Sequence, residues 1–350
     1  MENPNIVFTR PNRAELVDRV IPEPQRGEVR VRLVRSCVSS GTERANLTGV
    51  PDSGVSIFAE GDATTWPRQL GYSSSGVVDR VGPGVVGLAV GDRVALSWSR
   101  HARFQCIPAA QASRVPDGVS FADAAFAHLA TFPLAAIRKC RLEVGESALV
   151  MGQGVLGQMA VLLLRAAGAA PVLAADPDAA KRERARALGA DAALDPSSAD
   201  FAAQIRARCP ADRAAMGGRA EGAGPRVGIE VTGVGAALNG LLDVIAPFGR
   251  IALLGCTRDS NFTIDYYHRV HGRGVTLVGA HTLARPDLES APGWWTTRDD
   301  ARAFLGLLSH RRISLAGFVD EVHAPGDCGA VYARLAAGGA FPTVQFDWEA

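Results

Sequence analysis

Over the first 125 residues, apolar and polar side chains alternate in short runs. Val29-Arg30-Val31-Arg32-Leu33-Val34 has the period of two expected of a strand with one buried face, and Gly76-Val77-Val78-Asp79-Arg80-Val81 is a second such run. Turn-forming clusters punctuate them at Pro22-Glu23-Pro24, Gly82-Pro83-Gly84 and Gly91-Asp92. Residues 48–66 are polar without a period, which predicts a long loop.

The pattern changes near Phe121. Residues 122–139 place alanine and apolar side chains at helical spacing, and the apolar strand 147–151 runs through a glycine turn into a helix reaching Ala167. After Gly168 the pattern repeats, with a strand at Val172–Ala175, a helix over 179–188 and a strand at Ala192–Leu194. Further strands are expected at 227–231, 249–254 and 274–278. Strands alternating with helices predict parallel βαβ units, with a sheet covered on both faces. The later chain shows one amphipathic helix over 299–310 and then mixed short elements. Residues 211–225, rich in glycine, alanine and arginine, read as a surface loop.

Composition narrows the class. The chain has 350 residues, 47% hydrophobic and 21% charged, enough for about two domains with real cores, which excludes disorder and a disulfide-stapled miniature. A net charge of +1 argues against nucleic acid as a partner. Only Lys139 and Lys181 are lysines among the 37 basic residues, a genomic bias without functional weight. The cysteines (Cys37, Cys106, Cys140, Cys209, Cys256, Cys328) are scattered with no C-x-x-C pair and fit a reducing compartment. Residues 1–10 lack a signal-peptide pattern, and the most apolar stretch, 159–175, is interrupted by Arg165, Gly168 and Pro171. The expectation is a soluble cytoplasmic protein with no membrane partner.

The strongest chemical signal is Gly152-Gln153-Gly154-Val155-Leu156-Gly157, which closes an apolar strand and opens a helix. In that setting the glycines make the turn, admit a pyrophosphate and let helix meet strand, while the helix N-terminus offers N–H groups to phosphate. Asp176 stands 19 residues after Gly157, at the end of the next strand. Its carboxylate could accept hydrogen bonds from the adenosine ribose hydroxyls and would repel a 2′-phosphate, favouring NAD over NADP. Lys181 could reach the same ribose.

These features, with Gly91-Asp92-Arg93-Val94, Val115-Pro116-Asp117-Gly118, Glu230-Val231-Thr232-Gly233 and Gly249-Arg250 leading to Leu254-Gly255, resemble the medium-chain dehydrogenase/reductase superfamily of the zinc alcohol dehydrogenases. The resemblance implies an α/β protein: a GroES-like β-rich catalytic domain over 1–128, completed by 283–350, and a doubly wound Rossmann domain with a parallel sheet over 129–282. It also implies a homodimer or tetramer acting on a small-molecule substrate. In zinc members a C-G-T-D-like motif and a G-H-E motif supply ligands. Here those motifs read Ser40-Gly41-Thr42-Glu43 and Gly71-Tyr72-Ser73, and the third ligand position falls near Ala127, beside His128. Serine, tyrosine and alanine cannot make a His/Cys site, and Cys106 stands alone where a four-cysteine structural lobe would lie, so the expectation is no zinc. Ser40 to Arg44, with Leu70-Gly71-Tyr72, resembles a zinc-less branch that includes 2-desacetyl-2-hydroxyethyl bacteriochlorophyllide a dehydrogenase and sugar- or polyol-dehydrogenase-like relatives.

Without zinc, the protein must supply hydrogen-bond donors and a base for alcohol oxidation. The resemblance puts Thr42 at the family's proton relay and the Tyr72 phenol in the place of the histidine ligand. Glu43 would orient neighbours or serve as a base, and His128 would assist. Ser40 and Trp98 are expected at the substrate, Trp98 as an aromatic wall. Thr131, Val231, Leu254, Ala280 and Thr282 correspond to positions lining the nicotinamide and its ribose, joining Gly152, Gly154, Val155, Leu156, Gly157, Asp176 and Lys181. The resulting reading is a zinc-independent, NAD-dependent dehydrogenase of a secondary alcohol on a sugar, cyclitol or similar polyhydroxylated metabolite. An enoyl or quinone reductase and a catalytically inactive nucleotide-binding module are the alternatives.

Overall fold

Alternating valines and leucines build the first sheet. The computed structural model describes residues 2–49, 66–210, 222–256 and 261–350. Strands β1 (Pro4–Arg10) and β2 (Arg13–Asp18) pair as an antiparallel hairpin. They are followed by β3 (Glu28–Cys37), α1 (Ser40–Thr48), β4 (Ser73–Val81), β5 (Arg93–Ser97), β6 (Phe104–Pro108) and β7 (Ala112–Arg114). On β3 the residues Val29, Val31 and Leu33 are fully buried, while Arg30 and Arg32 between them are partly exposed, as the period of two requires. Most of the expected loops at 48–66 and 211–225 lies outside the described residues, but Thr48 closes α1.

Three outcomes differ from the sequence pattern. Helix α1 falls where only strands and turns were read, because Ser40-Gly41-Thr42-Glu43-Arg44 has little helical amphipathy and the helix is held by tertiary contacts. The helix expected over 122–139 is two: α2 (Phe121–Ala124), N-capped by the Ser120 side chain on the Asp123 N–H, and α3 (Ala127–Lys139). The last stretch holds a ten-residue helix rather than only short elements.

The middle of the chain gives β8 (Ala148–Met151), α4 (Val155–Ala166), β9 (Val172–Ala175), α5 (Ala179–Ala187), β10 (Ala192–Leu194), α6 (Phe201–Arg208), β11 (Val227–Glu230), α7 (Gly235–Val244), β12 (Arg250–Leu253) and β13 (Thr276–Gly279). Among the described residues these strands form one parallel sheet in the order β10-β9-β8-β11-β12-β13. That order reverses direction between β8 and β11, the switch point at which doubly wound sheets bind nucleotides outside the carboxyl ends of the strands. The β8 and β9 side chains are buried throughout, as expected of central parallel strands.

The chain then adds α8 (Thr297–Ser309), β14 (Glu321–His323), α9 (Cys328–Ala337) and β15 (Val344–Asp347). Strand β15 returns to the first sheet, antiparallel to β3, giving the order β14-β15-β3-β4-β5-β7 with β6 also on β3. The chain divides into two compact units. One takes described residues 2–49, 66–131 and 297–350, and the other takes the described residues from 132 to 296. The sequence reading puts the switches at 128/129 and 282/283, whereas the division falls at 131/132 and 296/297. The segment after β13 stays with the second unit because Lys139 Nζ donates to Gly279 and Ala284 carbonyls and lies over the Trp294 ring, and Arg138 stacks on Trp295. Ile6, Phe8, Val31, Leu47, Tyr332 and Phe346 belong to the core of the first unit; Leu149, Leu173, Leu241 and Ile251 belong to that of the second. No described helix is long and apolar enough to cross a membrane.

Candidate active site

In the first unit, the end of β3 delivers Ser39 as the N-cap of α1, and the start of β4 delivers Tyr72. The Tyr72 hydroxyl hydrogen-bonds the Ser39 hydroxyl and lies 3.5 Å from Thr42 Oγ1. Of the two adjacent serines it is Ser39 that meets the phenol. Ser40, expected at the substrate, is the first residue of α1 and partly buried. Tyr72 is 8% exposed. Its ring meets His128 edge-on with centroids 5.5 Å apart, and Trp98 lies 4.6 Å from His128 and 6.2 Å from Tyr72. Trp98 is 40% exposed and held at φ 59°, a left-handed conformation that costs a non-glycine residue of order 1–3 kcal/mol and recurs at functional sites. The expected catalytic residues Thr42, Tyr72 and His128, with Trp98, therefore fall in one cluster.

Glu43 sits behind that cluster and is fully buried. Its Oε1 accepts the Ser39 backbone N–H at 2.8 Å, and its Oε2 accepts the Tyr332 hydroxyl of α9 at 2.5 Å. His101 Nε2 lies 3.3 Å from both carboxylate oxygens. His101 Nδ1 is 2.7 Å from Ser36 Oγ, which accepts the Trp348 indole N–H at 2.9 Å. If Ser36 donates to Nδ1 and Nε2–H donates to Glu43, every group in this chain is satisfied. Burial first, and the Glu43 charge second, push the Tyr332 phenol well above its ordinary value. Glu43 thus ties the start of α1 to α9 and to His101. Gly71 permits this packing: it has φ 100°, and a Cβ there would lie 2.8 Å from the His101 ring.

Sequence reasoning missed Ser39, His101, Tyr332 and Ser73. The Ser73 hydroxyl donates to the Ala125 carbonyl and accepts the Leu129 N–H, fixing the start of α3 and hence His128. The N-cap position of Ser39 and the serine run after Tyr72 were available signals. Tyr332 and His101, 289 and 58 residues from Glu43, left none.

The second unit carries the glycine turn. Gly152 has φ 97°, and a Cβ on it would lie 2.6 Å from Thr232 Cγ2; one on Gly157 would lie 1.9 Å from the Gly152 carbonyl. Gly154 is different: among the described residues a Cβ there would meet nothing within 4 Å, and α4 has no side-chain cap. Val155 and Leu156 form the partly buried first turn of α4. Asp176, at the end of β9, is buried, and its two oxygens accept the Gln153 and Asp178 N–H groups at 2.8 and 2.9 Å. Each oxygen retains a second acceptor direction for a ribose hydroxyl. Lys181 lies in the first turn of α5, capped by Asp178. Val231, Leu254 and Ala280 follow the carboxyl ends of β11, β12 and β13. The Thr282 hydroxyl is buried with no hydrogen-bond partner among the described residues. Thr131 instead belongs to the first unit, where its hydroxyl donates to the His128 carbonyl. The bare helix N-terminus, Asp176 and the unused Thr282 hydroxyl fit a dinucleotide.

Two family descriptions match the chain: an alcohol dehydrogenase GroES-like domain over residues 27–139 and a zinc-binding dehydrogenase domain over 155–294. The chain is an alcohol dehydrogenase-like member of the medium-chain dehydrogenase/reductase superfamily. With that membership it is an oxidoreductase of the dehydrogenase type, built from a GroES-like sheet domain and a Rossmann-like parallel-sheet domain. Among curated superfamily relatives, the 2-dehydro-3-deoxy-L-galactonate 5-dehydrogenase of Pseudoalteromonas atlantica is 26% identical over 343 residues, covering 89% of each chain. Sorbitol dehydrogenase of Gallus gallus is 26% identical over 73% of this chain and 75% of its own. The crystal structure of galactitol-1-phosphate dehydrogenase from Escherichia coli shares the fold, with TM-score 0.80 and 19% identity over 98% of this chain and 99% of that one.

The superfamily also implies a metal, and the residues present do not fit it. Among the described residues, no group of three or more His, Cys, Asp or Glu side chains is arranged to hold an ion. Ser40, Tyr72 and Ala127 stand at the ligand positions that the sequence motifs indicate. Two hydroxyls and a methyl group are not the thiolate and imidazole donors of a zinc centre.

Proposed function

We propose that this chain is a zinc-independent, NAD-dependent dehydrogenase that oxidises a secondary alcohol of a sugar, cyclitol or similar polyhydroxylated metabolite, or reduces the matching ketone. The observation that carries the reading is the Tyr72 phenol, bonded to Ser39 and within reach of Thr42, where zinc relatives have a ligand. Two relatives whose names place them on sugar-acid and polyol substrates support the substrate class.

Bound NAD would supply the acceptor for the hydride leaving the carbinol carbon. Gly152, Gly154 and Gly157 would admit its pyrophosphate at the bare N-terminus of α4, and Asp176 would accept its ribose hydroxyls and disfavour a 2′-phosphate. In the oxidation direction Tyr72, as phenolate, takes the substrate hydroxyl proton onto its oxygen, and Thr42 donates a hydrogen bond to the same region. His128, packed on the Tyr72 ring, holds the phenol in place, and Trp98 presents an aromatic face to the substrate.

The test is a panel of sugars, cyclitols and alditols assayed with NAD on protein of measured metal content. Turnover without stoichiometric zinc, reduced about 10²–10⁴-fold in Tyr72→Phe, is expected of a lost general base. One zinc per chain, or full turnover by Tyr72→Phe, would refute the reading. Reduction of enones or quinones without alcohol oxidation would replace it with the reductase alternative.

A further inference from the structure

We propose that Ser39 is a positioning residue for the reaction, its hydroxyl diverted from helix capping to hold the Tyr72 phenol. The inference rests on Tyr72 as the proton acceptor. Serine is favoured at an N-cap because its oxygen accepts a hydrogen bond from an N–H of the first turn. Ser39 occupies that position, with φ −94° and ψ 87°, and makes no such bond; its hydroxyl bonds Tyr72 instead. Glu43, one turn into the helix, reaches back to the Ser39 N–H and so fixes the main chain of the N-cap residue without using the serine hydroxyl.

The diversion is held from both ends. Glu43, which fixes the Ser39 main chain, is itself gripped by Tyr332 and faces His101. The segment leading to Tyr72 is fixed on the same histidine, since the His101 N–H donates to the Leu70 carbonyl at 3.0 Å and Gly71 lies against the His101 ring. Serine and tyrosine are therefore referenced to one buried anchor, and the distance between their oxygens does not depend on α1 alone.

A neutral phenol donates its one proton and accepts from a neighbour; a phenolate only accepts. As phenolate, Tyr72 would take hydrogen bonds from both Ser39 and Thr42. When the substrate proton arrives on the phenolic oxygen, that oxygen can donate to one of them. Ser39 keeps its own proton throughout: the O–H bond of the substrate breaks, the O–H bond of Tyr72 forms, and no atom leaves the serine.

The experiment compares Ser39→Ala, Ser39→Thr and Ser39→Gly. With the best polyol of the panel, Ser39→Ala should lower kcat roughly tenfold, the scale of one hydrogen bond, with the KM for NAD unchanged and activity rescued by Ser39→Thr. The urea midpoint should fall only slightly, because no capping bond is removed and a single hydroxyl–hydroxyl bond is lost. Ser39→Gly, well tolerated at N-caps, reports the same loss if alanine disturbs the turn. A second readout needs no substrate. The chain has four tyrosines, so ¹³Cζ-tyrosine labelling should give a Tyr72 signal, assigned with Tyr72→Phe, that moves in Ser39→Ala and returns in Ser39→Thr. Wild-type kcat in Ser39→Ala, or an unmoved Tyr72 signal, overturns the inference. A kcat loss that follows a fallen midpoint and is not rescued by threonine also overturns it. Full turnover by Tyr72→Phe would sink the parent reading as well, whereas an inactive Tyr72→Phe beside a fully active Ser39→Ala sinks this inference alone.

Discussion

Replacing Tyr332 by phenylalanine removes one oxygen from the middle of the first unit and little else. The ring is fully buried, edge-on to Phe8 at 4.9 Å and stacked near Phe346 at 6.0 Å, and a phenylalanine keeps both contacts. What disappears is the 2.5 Å hydrogen bond to a carboxylate that is itself fully buried. Hydrogen bonds to charged groups contribute about 1.5–3 kcal/mol, and Glu43 would retain only the Ser39 N–H and His101. Tyr332→Phe should therefore lose about 1.5–3 kcal/mol, read as a lower urea midpoint at unchanged slope, with unfolding followed by tryptophan emission. A second arm uses alkali. Burial and the Glu43 charge hold the folded phenol's pKa well above its unfolded value of about 10. The stability tied to that proton is complete below about pH 10 and is lost as pH rises toward the folded value, because the unfolded chain gives the proton up first. Between about pH 9 and about pH 11 the wild type should lose more stability than Tyr332→Phe, which has no proton there to lose. Equal midpoints at neutral pH together with equal alkaline losses would refute the claim that Tyr332 holds Glu43.

Two further expectations concern the nucleotide. Gly154→Ala should fold with wild-type stability, since its Cβ meets open space at an ordinary φ of −73°, yet weaken NAD binding more than about tenfold by calorimetry because that space is where phosphate approaches. Gly157→Ala should instead lower the melting temperature, its Cβ falling 1.9 Å from the Gly152 carbonyl. Under the proposed preference for NAD, Asp176→Asn should narrow the ratio of NADP to NAD dissociation constants by roughly tenfold, as removal of a like charge near the 2′-phosphate predicts; an unchanged ratio would detach Asp176 from cofactor choice.

How far the chain could be read in advance depended on the range of the interactions. The second unit was legible because βαβ packing writes itself locally: β9 and β10 fall where apolar runs end at turn residues, and the glycine spacing is fixed by contacts within a few residues. In the first unit, β3 was legible from its alternation, whereas α1 was not, since Gly41 and Thr42 are poor helix formers and the helix is stabilised by what it packs against. The break between α2 and α3 was hidden in an alanine-rich run whose composition suits continuous helix. At the candidate site, Thr42 and Tyr72 were reachable through short motifs, but Ser39 was overshadowed by its neighbour Ser40. The Glu43–Tyr332 and Ser36–Trp348 bonds span 289 and 312 residues, and no local pattern encodes a partner so distant.

Those same two bonds bear on the order in which the protein is made. The described residues from 132 to 296 form one unit whose sheet is complete once β13 has been made, whereas the first unit also needs β15 and Trp348, which follow β13 in the chain. Until α9 emerges, Glu43 has no phenol to grip it, so the carboxylate that anchors Ser39 stays hydrated and the hydroxyl cluster unformed. Nascent chains can thus acquire a nucleotide fold long before the residues proposed to handle the proton are held in place. A chain that stops between β13 and α9 would carry every strand of the parallel sheet and lack the phenol that grips Glu43.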